Sequence, residues 1–293
     1  MHAALRAARG SGAAGAVSRA DQLAGAEHVG DTTTEPDGVR CTDVDADGVP
    51  SLWAVPEAAD PGQVLLYFHG GGYCYCSVRS HRKVTGHLAR AAGWRALSVG
   101  YRLAPEDPYP AALDDALTAY QWLARQASPR QVAVGGDSAG GGLAVALLLR
   151  LRDEGLPMPG AGVLLSPWVD LALTGESMRT RAEVDVRQEV AGTKACAEGY
   201  LNGHDPRDPY ASPLYADLAG LPPLYIQAGD FDILVDDSRR LADKARRSGV
   251  AVRLDMFPQM LHAHQLWAGN MPEADDAVAR VGGYLRALEQ EAS

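Results

Sequence analysis

The sequence is poor in cysteine. Only 4 of its 293 residues are cysteines, at Cys41, Cys74, Cys76 and Cys196. They are too few and too irregularly spaced for a disulfide framework, and Cys74-x-Cys76 has no second Cys/His pair at zinc-finger spacing. We therefore expect reduced thiols, no metal site and no disulfide scaffold.

A long apolar run is also missing, and so is an excess of basic residues. The first 20 residues are rich in Ala and Gly but are interrupted by Arg6, Arg9 and Arg19, unlike a signal peptide or a membrane span. The net charge is −10 and the pI is near 5.2, which argues against a phosphate-backbone partner. We expect a cytoplasmic protein with no stable membrane insertion and no nucleic-acid partner.

From residue 64 onward, apolar runs of strand length alternate with helical patterns. The predicted strands cover residues 64–68, 95–99, 132–134, 160–165, 223–228 and 251–256, and the predicted helices 80–92, 112–126, 139–153, 236–248 and 272–291. Continuous apolar strands separated by helices are typical of a parallel sheet covered on both faces. Two extended runs at 39–44 and 50–54, joined by a turn at 45–48, predict an antiparallel pair. The fold class is α/β, with a mostly parallel central sheet and helices on both faces.

Two segments do not fit this alternation. Residues 1–38 mix Ala and Gly with a polar turn region, which predicts an N-terminal cap segment in front of the main domain at 39–293. Residues from about 174 to 209 are too long for an ordinary loop and predict a cap insertion over the carboxyl ends of the strands. The last strand, 251–256, is an edge strand through which a homodimer could form.

One serine lies on a glycine-rich break between a strand and a helix, in the run Gly136-Asp137-Ser138-Ala139-Gly140. A G-x-S-x-G element at such a junction exposes the serine at the edge of the sheet. The N-H of Ala139 would lie at a helix N-terminus, where it favours developing negative charge. A plain glycine-rich turn explains the same residues, so the interpretation depends on partners elsewhere in the chain.

A second glycine run, His69-Gly70-Gly71-Gly72, follows the strand that ends at Phe68. Glycines there let backbone N-H groups turn toward a ligand, and such a loop supplies the other half of a hydrolase oxyanion hole. We interpret His69 as a structural residue that holds the glycines.

A serine hydroxyl needs a base, and the base needs an acid to orient it. The chain offers acids and then histidines on two later loops that each follow a predicted strand, in the order Ser, Asp, His. The acids are Asp230, Asp232, Asp236 and Asp237, and the histidines are His262 and His264. Asp236 and Asp237 open a helix and are interpreted as N-terminal caps. Local reasoning does not decide between Asp230 and Asp232 as the acid, or between His262 and His264 as the base.

These motifs together resemble the hormone-sensitive-lipase family of α/β-hydrolase esterases, over about residues 39–293. The markers are His69-Gly70-Gly71-Gly72, Tyr101-Arg102-Leu103-Ala104-Pro105-Glu106, Gly136-Asp137-Ser138-Ala139-Gly140-Gly141, Ser166-Pro167-Trp168, Asp232-Ile233-Leu234-Val235-Asp236-Asp237 and Met260-Leu261-His262. The resemblance implies Ser138 as nucleophile, Asp232 as acid and His262 as base, with the N-H groups of Gly71, Gly72 and Ala139 as the oxyanion hole. The chain departs from the family at Cys76, where glycine is usual, and at Gly100, where an acidic residue is usual.

The resemblance also implies a serine carboxylesterase that needs no cofactor and acts on short- to medium-chain acyl esters. The expected partner is a small-molecule ester, and Tyr73, Trp168, Met260 and Leu261 are the predicted substrate contacts. A lactone hydrolase and a small-metabolite deacetylase use the same groups and stay open as alternatives. A ligand-binding receptor on the same scaffold is disfavoured because Ser138, Asp232 and His262 are all present.

Overall fold

The centre of the molecule is an eight-stranded sheet. The computed structural model describes the backbone of residues 18–292 and the side chains of residues 18–288. The strands are β1 (Val39–Asp45), β2 (Pro50–Pro56), β3 (Asp60–Phe68), β4 (Trp94–Val99), β5 (Val132–Asp137), β6 (Ala161–Leu165), β7 (Leu224–Gly229) and β8 (Val252–Phe257). Their order is β1-β2-β4-β3-β5-β6-β7-β8, and only the pairs β1–β2 and β2–β4 are antiparallel.

Helices cover both faces of the sheet. They are α1 (Arg19–Glu27), α2 (Arg82–Ala92), α3 (Ala111–Ala124), α4 (Ala139–Asp153), α5 (Ser177–Thr180), α6 (Val190–Leu201), α7 (Val235–Arg247) and α8 (Pro272–Ala292). Short 3₁₀ turns span His28–Thr32, Pro129–Gln131, Pro213–Tyr215 and His264–Trp267.

The side chains of β3 show why both faces need cover. Val64, Leu66 and Phe68 join the core that α3, α4 and α7 complete, while Leu65 and Tyr67 join the core beneath α2 and α8. Successive side chains of a strand point to opposite faces, so a continuous apolar run requires a covering layer on both faces of the sheet. The predicted three-layer α/β architecture and the antiparallel pair at its edge are therefore confirmed.

The register of the parallel strands brings distant loops together. Phe68 pairs with Gly136, and Gly229 pairs with Phe257, so β3 ends beside β5 and β7 ends beside β8. Because parallel strands place all their carboxyl ends on one edge, the loops that follow β3, β5, β6, β7 and β8 meet there.

Both predicted cap segments contain helices in the part of the chain that the structure describes. α5 and α6 lie within the cap insertion, and α1 lies within the N-terminal segment. The Arg19 guanidinium anchors α1 by donating to Glu106 at 2.9 Å and to the Ala104 carbonyl at 2.7 Å. Residues 1–17 of the predicted N-terminal cap lie outside the described residues, and the cap boundaries stay a prediction.

Strand β8 forms one edge of the sheet and pairs only with β7 among the described strands. A homodimer through this edge stays a prediction. All four cysteines are free thiols. Within residues 18–292, no helix is both long and apolar enough to span a bilayer.

Candidate active site

Ser138 lies on a strained turn between β5 and α4. Its φ is 54° and its ψ is −122°, an unusual conformation for a residue with a side chain. The Ser138 N-H donates to the Leu165 carbonyl at 2.9 Å, which ties the turn to β6. A Cβ on Gly140 would lie 2.0 Å from the Phe68 carbonyl oxygen, so glycine is required two residues after the serine. The predicted strand-turn-helix element is present.

Asp232 and His262 form a buried pair. His262 Nδ1 lies 2.8 Å from Asp232 Oδ2, and the two side chains are 2% and 0% exposed. A carboxylate only accepts hydrogen bonds, so Nδ1 carries the proton and Nε2 is left as an acceptor. Nε2 has no hydrogen-bond partner among the described residues, and His262 and Ser138 line the same cavity. Nε2 is therefore an unpaired acceptor on the wall of the cavity that Ser138 also lines.

Asp230 and His264, the alternatives for the acid and the base, have different surroundings from Asp232 and His262. Asp230 is partly exposed and accepts the N-H of Gln259, and so holds the loop after β8. His264 is fully buried and packs on the Phe257 ring with centroids 4.6 Å apart. Burial lowers the pKa of His264 to about 4. The geometry therefore pairs Asp232 with His262 and leaves Asp230 and His264 out of the pair.

The glycine loop after β3 faces the serine. Gly71 and Gly72 line the cavity and have φ values of 114° and 63°. A Cβ on Gly71 would lie 2.2 Å from the Tyr75 carbonyl oxygen, so a side chain does not fit there. Ala139 is fully buried as the first residue of α4, where its N-H lies at the positive end of the helix dipole. Gly71 and Gly72 therefore border the cavity that Ser138 lines, and Ala139 follows Ser138 directly in the chain; their role as oxyanion donors stays a prediction.

Asp137 holds this loop in place, a role that the sequence analysis did not assign. Its buried carboxylate accepts from the Gly70 N-H at 3.0 Å, from the Tyr67 hydroxyl at 2.8 Å and from His81 Nε2 at 3.3 Å. Burial raises the pKa of Asp137, but the charge of His81 and the hydrogen bonds from His81 and Tyr67 outweigh burial and lower it to about 2. The residue before the serine therefore joins both glycine motifs.

His69 stacks on the Tyr101 ring, with centroids 4.3 Å apart, and donates from Nδ1 to the Gly70 carbonyl at 2.7 Å. Burial lowers its pKa to about 3, which keeps the ring neutral near pH 7. These contacts agree with the interpretation of His69 as a structural residue.

The cavity over Ser138 has a volume of about 620 Å³, and residues of both caps form part of its wall. α1 contributes Gly25 and Ala26, and α6 contributes four residues: Gly192, Thr193, Ala195 and Cys196. Arg187, Gln188 and Glu189 line it from the segment before α6. The length of the insertion signals a lid, but no sequence pattern identifies which of its residues reach the cavity.

One of the four predicted substrate contacts reaches the cavity. Trp168 lines it, whereas Tyr73, Met260 and Leu261 lie outside the described lining. The Tyr73 ring is buried behind Trp168 and stacks on Tyr200 with centroids 3.8 Å apart. Tyr73 therefore packs between the glycine loop and α6.

The two departures from the family pattern have local explanations. A Cβ on Gly100 would lie 2.5 Å from the Pro50 carbonyl oxygen, so an acidic side chain does not fit at this position. Cys76 adopts φ 68°, a left-handed conformation in which glycine is favoured, and is held with its thiol against the Ala26 carbonyl at 3.7 Å.

The interpretation of Asp236 and Asp237 as helix caps is wrong. α7 begins after Leu234 with no side-chain cap, and both carboxylates reach across to other loops instead. Asp237 accepts the N-H groups of Val169 and Asp170, each at 2.9 Å, and pairs with Arg240 at 2.8 Å. Asp236 accepts the Ser177 N-H at 2.9 Å. The two acids attach the loop after β6 and the cap insertion to α7.

Replacing Asp237 with alanine is expected to lower the free energy of unfolding by about 3 kcal/mol, because two buried N-H groups lose their acceptor and Arg240 keeps only Asp170 as a carboxylate partner. Urea denaturation followed by circular dichroism measures the change. Asp243→Ala is the matched control, since Asp243 is an exposed acid on the same helix and we expect a change of less than about 0.5 kcal/mol. Equal midpoints for the two variants would contradict the assigned role.

The end of β5, on the turn into a helix, is where the nucleophile lies in α/β-hydrolases. A family described as having the alpha/beta hydrolase fold matches residues 65–266. The chain is 44% identical to an "Acetyl-hydrolase" of Streptomyces hygroscopicus, over 82% of this chain and 80% of that one. It is 36% identical to an "Esterase" of Acinetobacter venetianus, over 79% and 77% of the two chains.

Solved structures agree with these relatives. A crystal structure of an esterase from the bacterial hormone-sensitive lipase family superposes with a TM-score of 0.93 at 42% identity, and covers 97% of this chain and 96% of that one. The chain therefore belongs to the α/β-hydrolase-fold family and, within it, to the bacterial hormone-sensitive-lipase esterases. It is an enzyme that hydrolyses ester bonds.

Proposed function

We propose that the protein is a serine carboxylesterase that hydrolyses short- to medium-chain acyl esters through an acyl-enzyme on Ser138. The observation that carries this proposal is the buried Asp232–His262 hydrogen bond of 2.8 Å, which leaves Nε2 unpaired in the cavity that Ser138 lines. In acyl transfer, a serine hydroxyl is activated when an imidazole that is oriented by a carboxylate takes its proton.

The reaction proceeds in two halves. Ser138 Oγ attacks the ester carbonyl while His262 Nε2 takes its proton, and His262 then gives this proton to the leaving alcohol. Water repeats the sequence on the acyl-enzyme and releases the acid. Asp232 keeps the proton on Nδ1 and stabilises the imidazolium that forms in each half.

The oxyanion of each tetrahedral intermediate is held by the N-H groups of Gly71, Gly72 and Ala139. Each donor contributes about 3 kcal/mol to the transition state in sites of this kind. The Asp137 contact with the Gly70 N-H supports this role, because a donor loop that is fixed before the reaction requires no reorganisation during it.

The acyl preference is expected to follow from the cavity. A volume of about 620 Å³ under α1 and α6 accommodates a small acyl group together with its alcohol. Among p-nitrophenyl esters, we expect the highest kcat/KM between acetate and octanoate and a value at least about tenfold lower for palmitate, because a chain longer than the pocket stays partly in water. The rate of p-nitrophenol release measures kcat/KM for each ester, after the background rate of the Ser138→Ala variant is subtracted.

A kcat/KM that rises steadily to palmitate would contradict the assignment to short and medium chains.

A second candidate function, removal of acetyl groups from a small metabolite, is favoured by the 44% identity to the Streptomyces acetyl-hydrolase. A preference for acetate over butyrate in the same ester series favours this candidate.

A further inference from the structure

Arg187 is a cation on the wall of the catalytic cavity. It lines the same space as Ser138 and His262, and its guanidinium carbon lies 4.8 Å from the centroid of the Trp267 ring. A guanidinium that rests on an aromatic ring still has its N-H groups available around its edge for acceptors.

The segment that bears Arg187 is tied to the loop that carries Asp232. Asp185 is fully buried, and its carboxylate accepts the N-H groups of Arg187 and Gln188 at 2.9 Å each. The other oxygen of Asp185 accepts the N-H of Ile233, the residue after Asp232, also at 2.9 Å. The turn that bears Arg187 is therefore anchored one residue away from the catalytic pair.

The Arg187 guanidinium has no anionic partner in the part of the chain that the structure describes. No carboxylate oxygen of residues 18–288 lies within 4.0 Å of it, and it donates no hydrogen bond to them. Arg82, Arg102, Arg150 and Arg240, by contrast, each hold a carboxylate. Burial lowers the pKa of Arg187, which reflects the cost of a charge without a close counterion.

The acids nearest to the cavity are engaged or exposed. Asp137 accepts three hydrogen bonds, Asp232 holds His262, and Asp185 accepts from three N-H groups. Glu189 lines the cavity but is exposed to solvent. Among residues 18–288, no carboxylate is paired with the Arg187 guanidinium.

We propose that Arg187 is an anion-binding residue of the substrate site and that the enzyme acts on esters that carry a carboxylate. The planar guanidinium matches a carboxylate with two parallel hydrogen bonds, and such charge-assisted bonds are about twice as strong as neutral ones. This proposal rests on the proposed function, since it names the class of ester that the same cavity binds.

The test compares two esters of similar length that differ in charge, monoethyl adipate and ethyl hexanoate, with hydrolysis followed by proton release in a pH-stat. Relative to wild type, Arg187→Met is expected to lower kcat/KM for the anionic ester about 10- to 100-fold more than for the neutral one. Arg187→Gln serves as a second neutral variant, and Arg187→Lys is expected to recover part of the difference because it keeps the charge.

Arg179→Met is the matched control. Arg179 is an exposed arginine of the same cap insertion and does not line the cavity, so its removal is expected to change neither kcat/KM. If Arg187→Met and Arg187→Gln lower both values by the same factor, Arg187 only packs on Trp267 and the proposal is overturned. Variants that leave both kcat/KM values unchanged overturn it as well.

A binding measurement separates this proposal from the proposed function. In the Ser138→Ala background, isothermal titration with monoethyl adipate reports affinity without turnover, and Arg187→Met is expected to weaken it about 10- to 100-fold. If Arg187→Met weakens binding but the wild-type protein hydrolyses neither ester, only the esterase mechanism is contradicted. Wild-type protein that cleaves ethyl hexanoate, with no effect of Arg187→Met on binding, contradicts the anion site alone.

Discussion

Replacing Ser138 with alanine is expected to lower kcat for p-nitrophenyl butyrate by about ten-thousand- to a million-fold. The change removes the nucleophile while it leaves the oxyanion donors and the binding cavity in place, so a small residual rate over water is expected. Initial rates of p-nitrophenol release, measured at saturating substrate, give the ratio.

Two controls keep this result interpretable. Ser128→Ala replaces an exposed serine away from the site and is expected to leave the rate unchanged. A fluorophosphonate probe is expected to label the wild-type protein and not Ser138→Ala. The circular dichroism spectra of these two proteins are expected to coincide, which shows that the fold is retained. A variant that keeps a rate near that of wild type would show that another group performs the attack.

The Asp232→Asn substitution is expected to lower kcat by about ten-thousand-fold with little change in KM. An asparagine amide donates to Nδ1 of His262 where the carboxylate accepted, so the ring holds its proton on Nε2, where a base must be free. The same p-nitrophenyl butyrate assay measures the loss, and a thermal unfolding curve shows whether the fold is retained.

Asp230→Asn is the matched control for this substitution, because Asp230 lies two residues away on the same loop and does not touch His262. We expect less than a tenfold change in kcat for this variant. The reverse ranking of the two variants would mean that Asp230 is the acid and would contradict the geometry at His262.

The sequence predicted the layers of the fold well because the signal is local. The run 64–68 is apolar at every position, and its side chains enter both cores, as expected for a strand covered on two faces. The boundaries were less accurate: β3 begins at Asp60 and β5 continues to Asp137, because pairing with neighbouring strands extends both beyond their apolar residues.

Residues whose role depends on a distant contact were the ones that local reasoning assigned incorrectly or did not assign. Asp237 has the position of a helix cap in the sequence, but it bonds to Val169 and Asp170, which lie 68 and 67 residues away in the chain. Arg187 lies in an insertion without a motif and lines the cavity in a segment that is anchored by the distant contact of Asp185 with Ile233.

By itself, the sequence determined the α/β layering, the strained turn at Ser138 and the glycine loop, because each depends on neighbouring residues. The choice of Asp232 and His262 came from the family resemblance, and only the tertiary structure provides its geometric basis. The register of Gly229 with Phe257 places the loops after β7 and β8 side by side, and one carboxylate then lies 2.8 Å from one imidazole. Pairing of strands that are distant in sequence decides such contacts, and no local pattern encodes it.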